Sequence, residues 1–180
     1  MPHWIASLLL FTQPPQEAPV PITPVVTTEA DGTRTLAMET TVDASPAEVW
    51  QAIATPEGWQ RWAAPVARLV PGAEDMLETS YAPDAKPGDA TTIRQQFVAW
   101  IPGRMLAFRT TKAPDGFPNF DTYRKVVTVF ELMPAGPGRT RIVLTAVNYP
   151  DTEAGKQLLG FFRQGNAEAM GKLRAALTKP

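Results

Sequence analysis

The run Val42-Asp43-Ala44-Ser45-Pro46-Ala47-Glu48-Val49-Trp50-Gln51-Ala52-Ile53 decides how the rest of the chain is read. Ser45 stands as a helix N-cap and Pro46 as the first helical residue, where its missing N–H is no loss. Glu48 lies three positions after the cap, the spacing of a capping box in which side chain and backbone satisfy each other reciprocally. Val49, Trp50 and Ile53 supply an apolar face, and Thr55-Pro56 ends the helix because the residue before proline disfavours helical backbone. A second short helix is expected from Glu57 to Trp62, ahead of Ala64-Pro65.

Upstream of this run, Arg34 to Val42 alternates in a Thr-rich pattern after the turn Asp31-Gly32, and reads as the first strand. Downstream the chain is strand after strand: Met76 to Tyr81, Thr91 to Trp100, Met105 to Thr111, Arg124 to Leu132 and Thr140 to Val147, with Val66 to Val70 as a further short one. Turns containing Pro, Gly or Asp separate them, and connections so short demand antiparallel neighbours. Thr152 to Leu177 is a long helical segment. Leu158, Phe162, Ala169, Leu173 and Ala176 fall along one stripe of it, with Leu159, Met170 and Leu177 beside them.

Strand, two short helices, antiparallel meander and long terminal helix is the order of the helix-grip fold, an α+β architecture in which a curved sheet wraps around the last helix. The opening run, with Thr55-Pro56-Glu57 and Trp62, resembles the START-like or SRPBCC superfamily, and within it the branch named for the activator of the heat-shock protein 90 ATPase. Ile101-Pro102-Gly103-Arg104-Met105-Leu106-Ala107-Phe108, Gly138-Arg139-Thr140-Arg141-Ile142, and Gly160-Phe161-Phe162 with Gly165-Asn166 and Lys172-Leu173 resemble later landmarks of that family. The resemblance covers about residues 33 to 178. It implies a fold and leaves function open, because the superfamily includes lipid carriers, hormone receptors, polyketide cyclases, oxygenase subunits and chaperone activators.

Composition narrows the chemistry. The 180 residues hold 17 Lys and Arg against 18 Asp and Glu, too even a balance for a nucleic-acid binder. There is no Cys and a single His, His3, so thiolate nucleophiles, cysteine-based zinc sites and histidine triads are excluded. Neither a metal nor any other cofactor is expected. Residues 1–28 read as a Pro-rich leader, with six of the 19 Pro, no Lys or Arg and one acid, Glu17; residues 29–180 read as the START-like domain. The apolar stretch Trp4 to Phe11 is too short to span a bilayer but suits the middle of a secretory signal peptide. Its flanks, Met-Pro-His and Thr12-Gln13-Pro14-Pro15, do not. The alternatives are an irregular tail or a start further upstream. The location is periplasmic or secreted if the leader is an export signal, and cytoplasmic otherwise.

Strand parity says which side chains face the long helix. With Arg94, Arg109, Arg139 and Arg141 outward, Ile93, Gln95 and Phe97, then Leu106, Phe108 and Thr110, then Ile142, Leu144 and Ala146 point inward. Lys125 and Glu131 outward send Val126, Thr128, Phe130 and Leu132 inward, and Glu78 outward does the same for Leu77, Thr79 and Tyr81. The inner face is then apolar with scattered polar groups, closing either as plain core or as a small-molecule cavity. Gly155, Gly160, Gly165 and Gly171 interrupt the last helix at a cost in helix propensity, and Gly165 in the apolar stripe either leaves room for a ligand or marks a bend or close packing. Asn166 lies on the same side and its amide requires a partner, from a ligand, a buried water or an inward group such as Gln95.

Candidate ligand-binding residues are therefore Trp59 and Trp62 at the second short helix, Tyr81, Gln95, Phe97, Phe108 and Phe130 on strands, and Phe162 and Asn166 on the last helix. Arg124 joins them by sharing parity with Val126, with escape to solvent as its alternative. Phe117 and Phe120, in the long loop after Thr110, either cover the cavity or pack locally. Three functions follow: non-catalytic binding of a small hydrophobic or amphipathic molecule, an enzyme of the polyketide cyclase or dehydratase type, and a chaperone-activator role with a protein partner. The enzyme requires a general acid or base in the pocket, for which only Tyr81, Tyr123 and Arg124 are available. The reading leans away from catalysis.

Overall fold

A computed structural model describes residues 20–178. The apolar stretch Trp4 to Phe11, and with it the export signal and its alternatives, lies outside the described residues.

Eight strands form one antiparallel sheet: β1 (Val25–Thr28), β2 (Arg34–Val42), β3 (Val66–Val70), β4 (Ala73–Ser80), β5 (Ile93–Ile101), β6 (Met105–Lys112), β7 (Val127–Pro134) and β8 (Thr140–Tyr149). Their spatial order is β1-β2-β8-β7-β6-β5-β4-β3. The helices are α1 (Pro46–Ala54), α2 (Pro56–Trp62), α3 (Phe120–Tyr123) and α4 (Glu153–Leu177). This is the helix-grip arrangement. Among the described residues no helix is long and apolar enough to cross a membrane.

The capping box forms as its spacing requires: Glu48 N–H donates to Ser45 Oγ at 3.3 Å, and Ser45 N–H donates to Glu48 Oε2 at 2.7 Å. Thr55 ends α1 and caps α2, its hydroxyl accepting from Gly58 N–H at 3.0 Å. Gly58 is required here, because a Cβ would collide with the carbonyls of Gln51 and Ala52. The two helices are thus folded tightly onto each other.

Three elements depart from the sequence reading. Val25–Thr28, which composition groups with the leader, pairs with β2 in the register Val25↔Ala37 to Thr28↔Arg34 and forms the sheet edge. Four exposed residues carry no alternation, and their strand character comes from the partner. The loop after β6 contains α3, entered through Asn119 in left-handed backbone at φ 57°. Because α3 runs to Tyr123 and Arg124 caps it, β7 starts at Val127 rather than at Arg124.

The core lies between the inner face of the sheet and α1, α2 and α4. Leu36, Leu106, Ile142, Leu144 and Ala146 from the strands meet Val49 and Ile53 from α1 and Met170 and Leu173 from α4, all at most 3% exposed. Inward parity holds for these strands, since β8 alternates with Ile142, Leu144 and Ala146 buried. The contacts of α4 are uneven. Leu158 and Leu159 are buried near its start, Met170, Leu173 and Leu177 near its end, and no residue from 160 to 169 is buried, while Ala176 is exposed.

Candidate functional site

Where the centre of α4 stands off the sheet, a cavity of about 570 Å³ opens between helix, sheet and the loop after β6. Trp59 and Trp62 form one wall. Their indole N–H groups donate to the carbonyls of Ile53 at 2.6 Å and Ala52 at 2.9 Å, the free carbonyls at the end of α1. Two otherwise orphaned acceptors are thereby satisfied and both rings are held in place. The Trp59 ring meets Phe108 edge-on at 5.9 Å between centroids, and Phe108 stacks on Phe130 at 6.2 Å.

A second aromatic group closes the opposite side. Tyr123 stacks on Phe162 at 4.6 Å, Phe117 packs against Tyr123 at 5.4 Å, and Phe161 meets Phe117 edge-on at 6.1 Å. Phe117 therefore covers the cavity, whereas Phe120 does not line it. Burial pushes the Tyr123 phenol above its ordinary value against an opposing hydrogen bond with Thr110, so it is protonated at neutral pH.

The sheet contributes Ile93, Gln95, Thr128 and Leu144 to the lining. From α4 come Gly165 and Asn166, and a Cβ built on Gly165 meets nothing within 4 Å. Gly165 therefore opens space and does not serve close packing. Gly155 is the opposite case, since a Cβ there would collide with the Pro150 carbonyl. The Asn166 amide faces the cavity with no hydrogen bond to another described residue.

Eight of the ten candidate residues are thus brought to one cavity: Trp59, Trp62, Tyr81, Gln95, Phe108, Phe130, Phe162 and Asn166. Tyr81 stands at the mouth, 69% exposed, because β4 ends one residue before it. Phe97 does not line the cavity; it packs against the core beside a register irregularity between Phe97 and Ala99. Arg124 does not line it either. As the cap of α3 it points to solvent, 3.7 Å from Asp121, because the strand whose parity would aim it inward begins three residues later.

Sequence reasoning missed Phe161, Glu168 and Lys172, which line the rim. They stand four residues before, three after and seven after Gly165, which is the same helical face, so helical spacing from Gly165 finds them. Glu168 and Lys172 are exposed. Among the described residues no three His, Asp or Glu side chains gather as a metal site.

Comparison with known proteins gives the same architecture. The chain is similar in structure to Ms6760 from Mycobacterium smegmatis, at 22% identity over 89% of this chain and 99% of that one, with a TM-score of 0.62. It is similar to the Aha1 dimer from Colwellia psychrerythraea at 16% identity over 79% and 95%, with a TM-score of 0.58. CalU16 from Micromonospora echinospora is 18% identical over 88% and 86%, with a TM-score of 0.57. At these identities the likeness establishes the helix-grip fold and no more. A search of curated proteins finds no match. The model of one family, described as polyketide cyclase / dehydrase and lipid transport, matches residues 33–179, and since that match spans about four fifths of the chain, the chain belongs to this family.

Proposed function

We infer that the protein binds a small hydrophobic or amphipathic molecule in the cavity between the sheet and α4, without transforming it. The observation that carries this is the cavity itself: about 570 Å³, within the usual range of small-molecule sites. Nine of its lining residues are aromatic, which suits a ligand containing rings. Membership of a family whose description includes lipid transport is consistent with a carrier.

The same description includes cyclases and dehydrases, so an enzyme is the alternative. Its best acid or base is Tyr123 with its Thr110 partner, since Arg124 points away and Glu168 and Lys172 stand in solvent at the rim. A phenol pushed upward by burial is a poor base at neutral pH, so an enzyme of this kind would use Tyr123 as a donor. The likeness to the activator branch of the superfamily supports a third reading with a protein partner, and the cavity gives that reading no role.

Native mass spectrometry of the purified chain, followed by extraction, tests the proposal. The expected result is a released molecule of low mass that rebinds and is recovered unchanged. Recovery of an altered molecule overturns the non-catalytic part, and failure of any apolar ligand to bind overturns the whole.

A further inference from the structure

Among the described residues, the side-chain oxygen of Gln95 is the one buried side-chain nitrogen or oxygen without a hydrogen-bond partner. The rest of the interior is carefully satisfied. Thr140 donates to the Ala44 carbonyl at 2.7 Å, Thr92 to the Asp89 carbonyl at 2.8 Å, and both cavity indoles to α1. A bare acceptor in such an interior costs the fold its full desolvation penalty, and such groups in native proteins call for a specific explanation.

The position of Gln95 supplies one. It is 7% exposed and lies in the middle of the sheet, between Leu77 on β4 and Thr110 on β6. The β5–β6 register shifts between Arg94 and Gln95, and irregularities of this kind re-aim a side chain beside a site. The side chain lines the cavity among Trp59, Phe108 and Phe130, and because its oxygen is itself shielded, a ligand donor reaches it only as the side-chain amide turns. The charged lining residues, Glu168 and Lys172, are both exposed on α4 at the rim. A charged ligand group brought to Gln95 would be buried without a counter-ion, which is strongly unfavourable. What the oxygen lacks is a donor on an uncharged molecule.

Resting on the cavity-binding reading above, we propose that Gln95 selects the ligand: its side-chain oxygen accepts a hydrogen bond from a hydroxyl or N–H group on an uncharged, mostly apolar, ring-bearing molecule. The cavity therefore prefers hydroxylated rings to rings of the same shape that lack the donor. Hydrophobic transfer alone gives the opposite order, because the molecule without a hydroxyl leaves water more readily.

Calorimetric titration of the chain with 2-naphthol and 2-methylnaphthalene, which exchange a hydroxyl for a methyl on one framework, tests this. The naphthol is expected to bind about tenfold more tightly, the range set by one buried hydrogen bond. In Gln95→Met the order reverses, while the thermal midpoint stays level or rises because an unsatisfied polar group has been removed. If both probes bind and the methyl compound binds as well or better to the unaltered chain, the role of Gln95 is overturned and the binding cavity stands. That comparison needs no variant and decides the matter even if Gln95→Met does not fold. If neither probe binds, the cavity reading falls and the inference with it.

Discussion

Glu78 Oε2 accepts a hydrogen bond from Arg94 Nε at 2.8 Å, and its other oxygen accepts two from Arg68, at 3.0 and 2.9 Å. The carboxylate is on the outer face of the sheet yet only 1% exposed, and Gly88 N–H lies 3.2 Å from both of its oxygens. It therefore ties the loop between β4 and β5 down onto two neighbouring strands. Breaking a fully buried ion pair costs about 3–5 kcal/mol. Arg68 and Arg94 remain 28% and 33% exposed, so Glu78→Gln is expected to cost less, about 2 kcal/mol, measured by urea denaturation.

The same carboxylate predicts a pH dependence. Burial pushes Glu78 upward, but hydrogen bonds from Arg94, Arg68 and Gly88 outweigh it and hold the group below its ordinary 4.5. A lowered folded value means stability that is complete above pH 4.5 and is lost as pH falls through the folded value. The thermal midpoint should fall in acid below that point, and the fall should be shallower in Glu78→Gln. An equal slope in both proteins would show that other carboxylates carry the acid sensitivity.

The capping box bears on the cavity as well as on α1. Ala52 and Ile53, whose carbonyls hold the two indoles, sit in the last turn of the helix that Ser45 starts. Ser45→Ala is expected to cost about 1 kcal/mol, the usual worth of an N-cap. Thr55→Val should cost somewhat more, about 1–2 kcal/mol, because it leaves Gly58 N–H unpaired at the start of α2 and also removes the bond that Thr55 Oγ1 donates to the Gln51 carbonyl of α1 at 2.7 Å. Guanidinium denaturation followed by tryptophan fluorescence reads both.

Arg174 on α4 donates to the carbonyl of Val20 at 2.6 Å, reaching across to the segment that leads into β1. Ile22 in that segment packs against the core. Arg174→Ala, which also gives up a long 3.5 Å bond to Thr40 Oγ1, is expected to leave global stability within about 1 kcal/mol while speeding limited proteolysis between Val20 and Val25. Unchanged cleavage would show that Ile22 and the β1 pairing suffice.

The parts of this structure that were legible in the sequence are those with local causes. Ser45, Pro46 and Glu48 place α1 to the residue, and Arg139 and Arg141 facing outward give β8 its inward face of Ile142, Leu144 and Ala146. The parts that were not legible depend on what lies across from a residue. Parity puts Glu78 on the outer face, but only the covering loop makes it buried. Parity run backward from Val126 aims Arg124 inward, but a turn of helix intervenes. For the cavity, the facing residues could be named from spacing, whereas the empty space itself arises because the middle of α4 has no buried side chain to draw it onto the sheet.

That origin gives the most direct test of the cavity. Gly165 costs α4 about 1 kcal/mol relative to Ala, and a Cβ at this position meets nothing, so Gly165→Ala should stabilise the protein by up to about that amount. Gly155→Ala should do the reverse, costing about 1–3 kcal/mol, because its Cβ drives into the Pro150 carbonyl. Opposite signs from one substitution in one helix separate a glycine that makes room from a glycine that permits close approach. Gly165→Phe carries the argument to function: its ring would project into the open space, fill part of the cavity and leave the anchored ends of α4 in place. Binding of an apolar probe is expected to weaken at least tenfold while the thermal midpoint is kept. If Gly165→Phe instead binds the probe as well as the unaltered chain does, the molecule is held somewhere other than beneath the centre of α4.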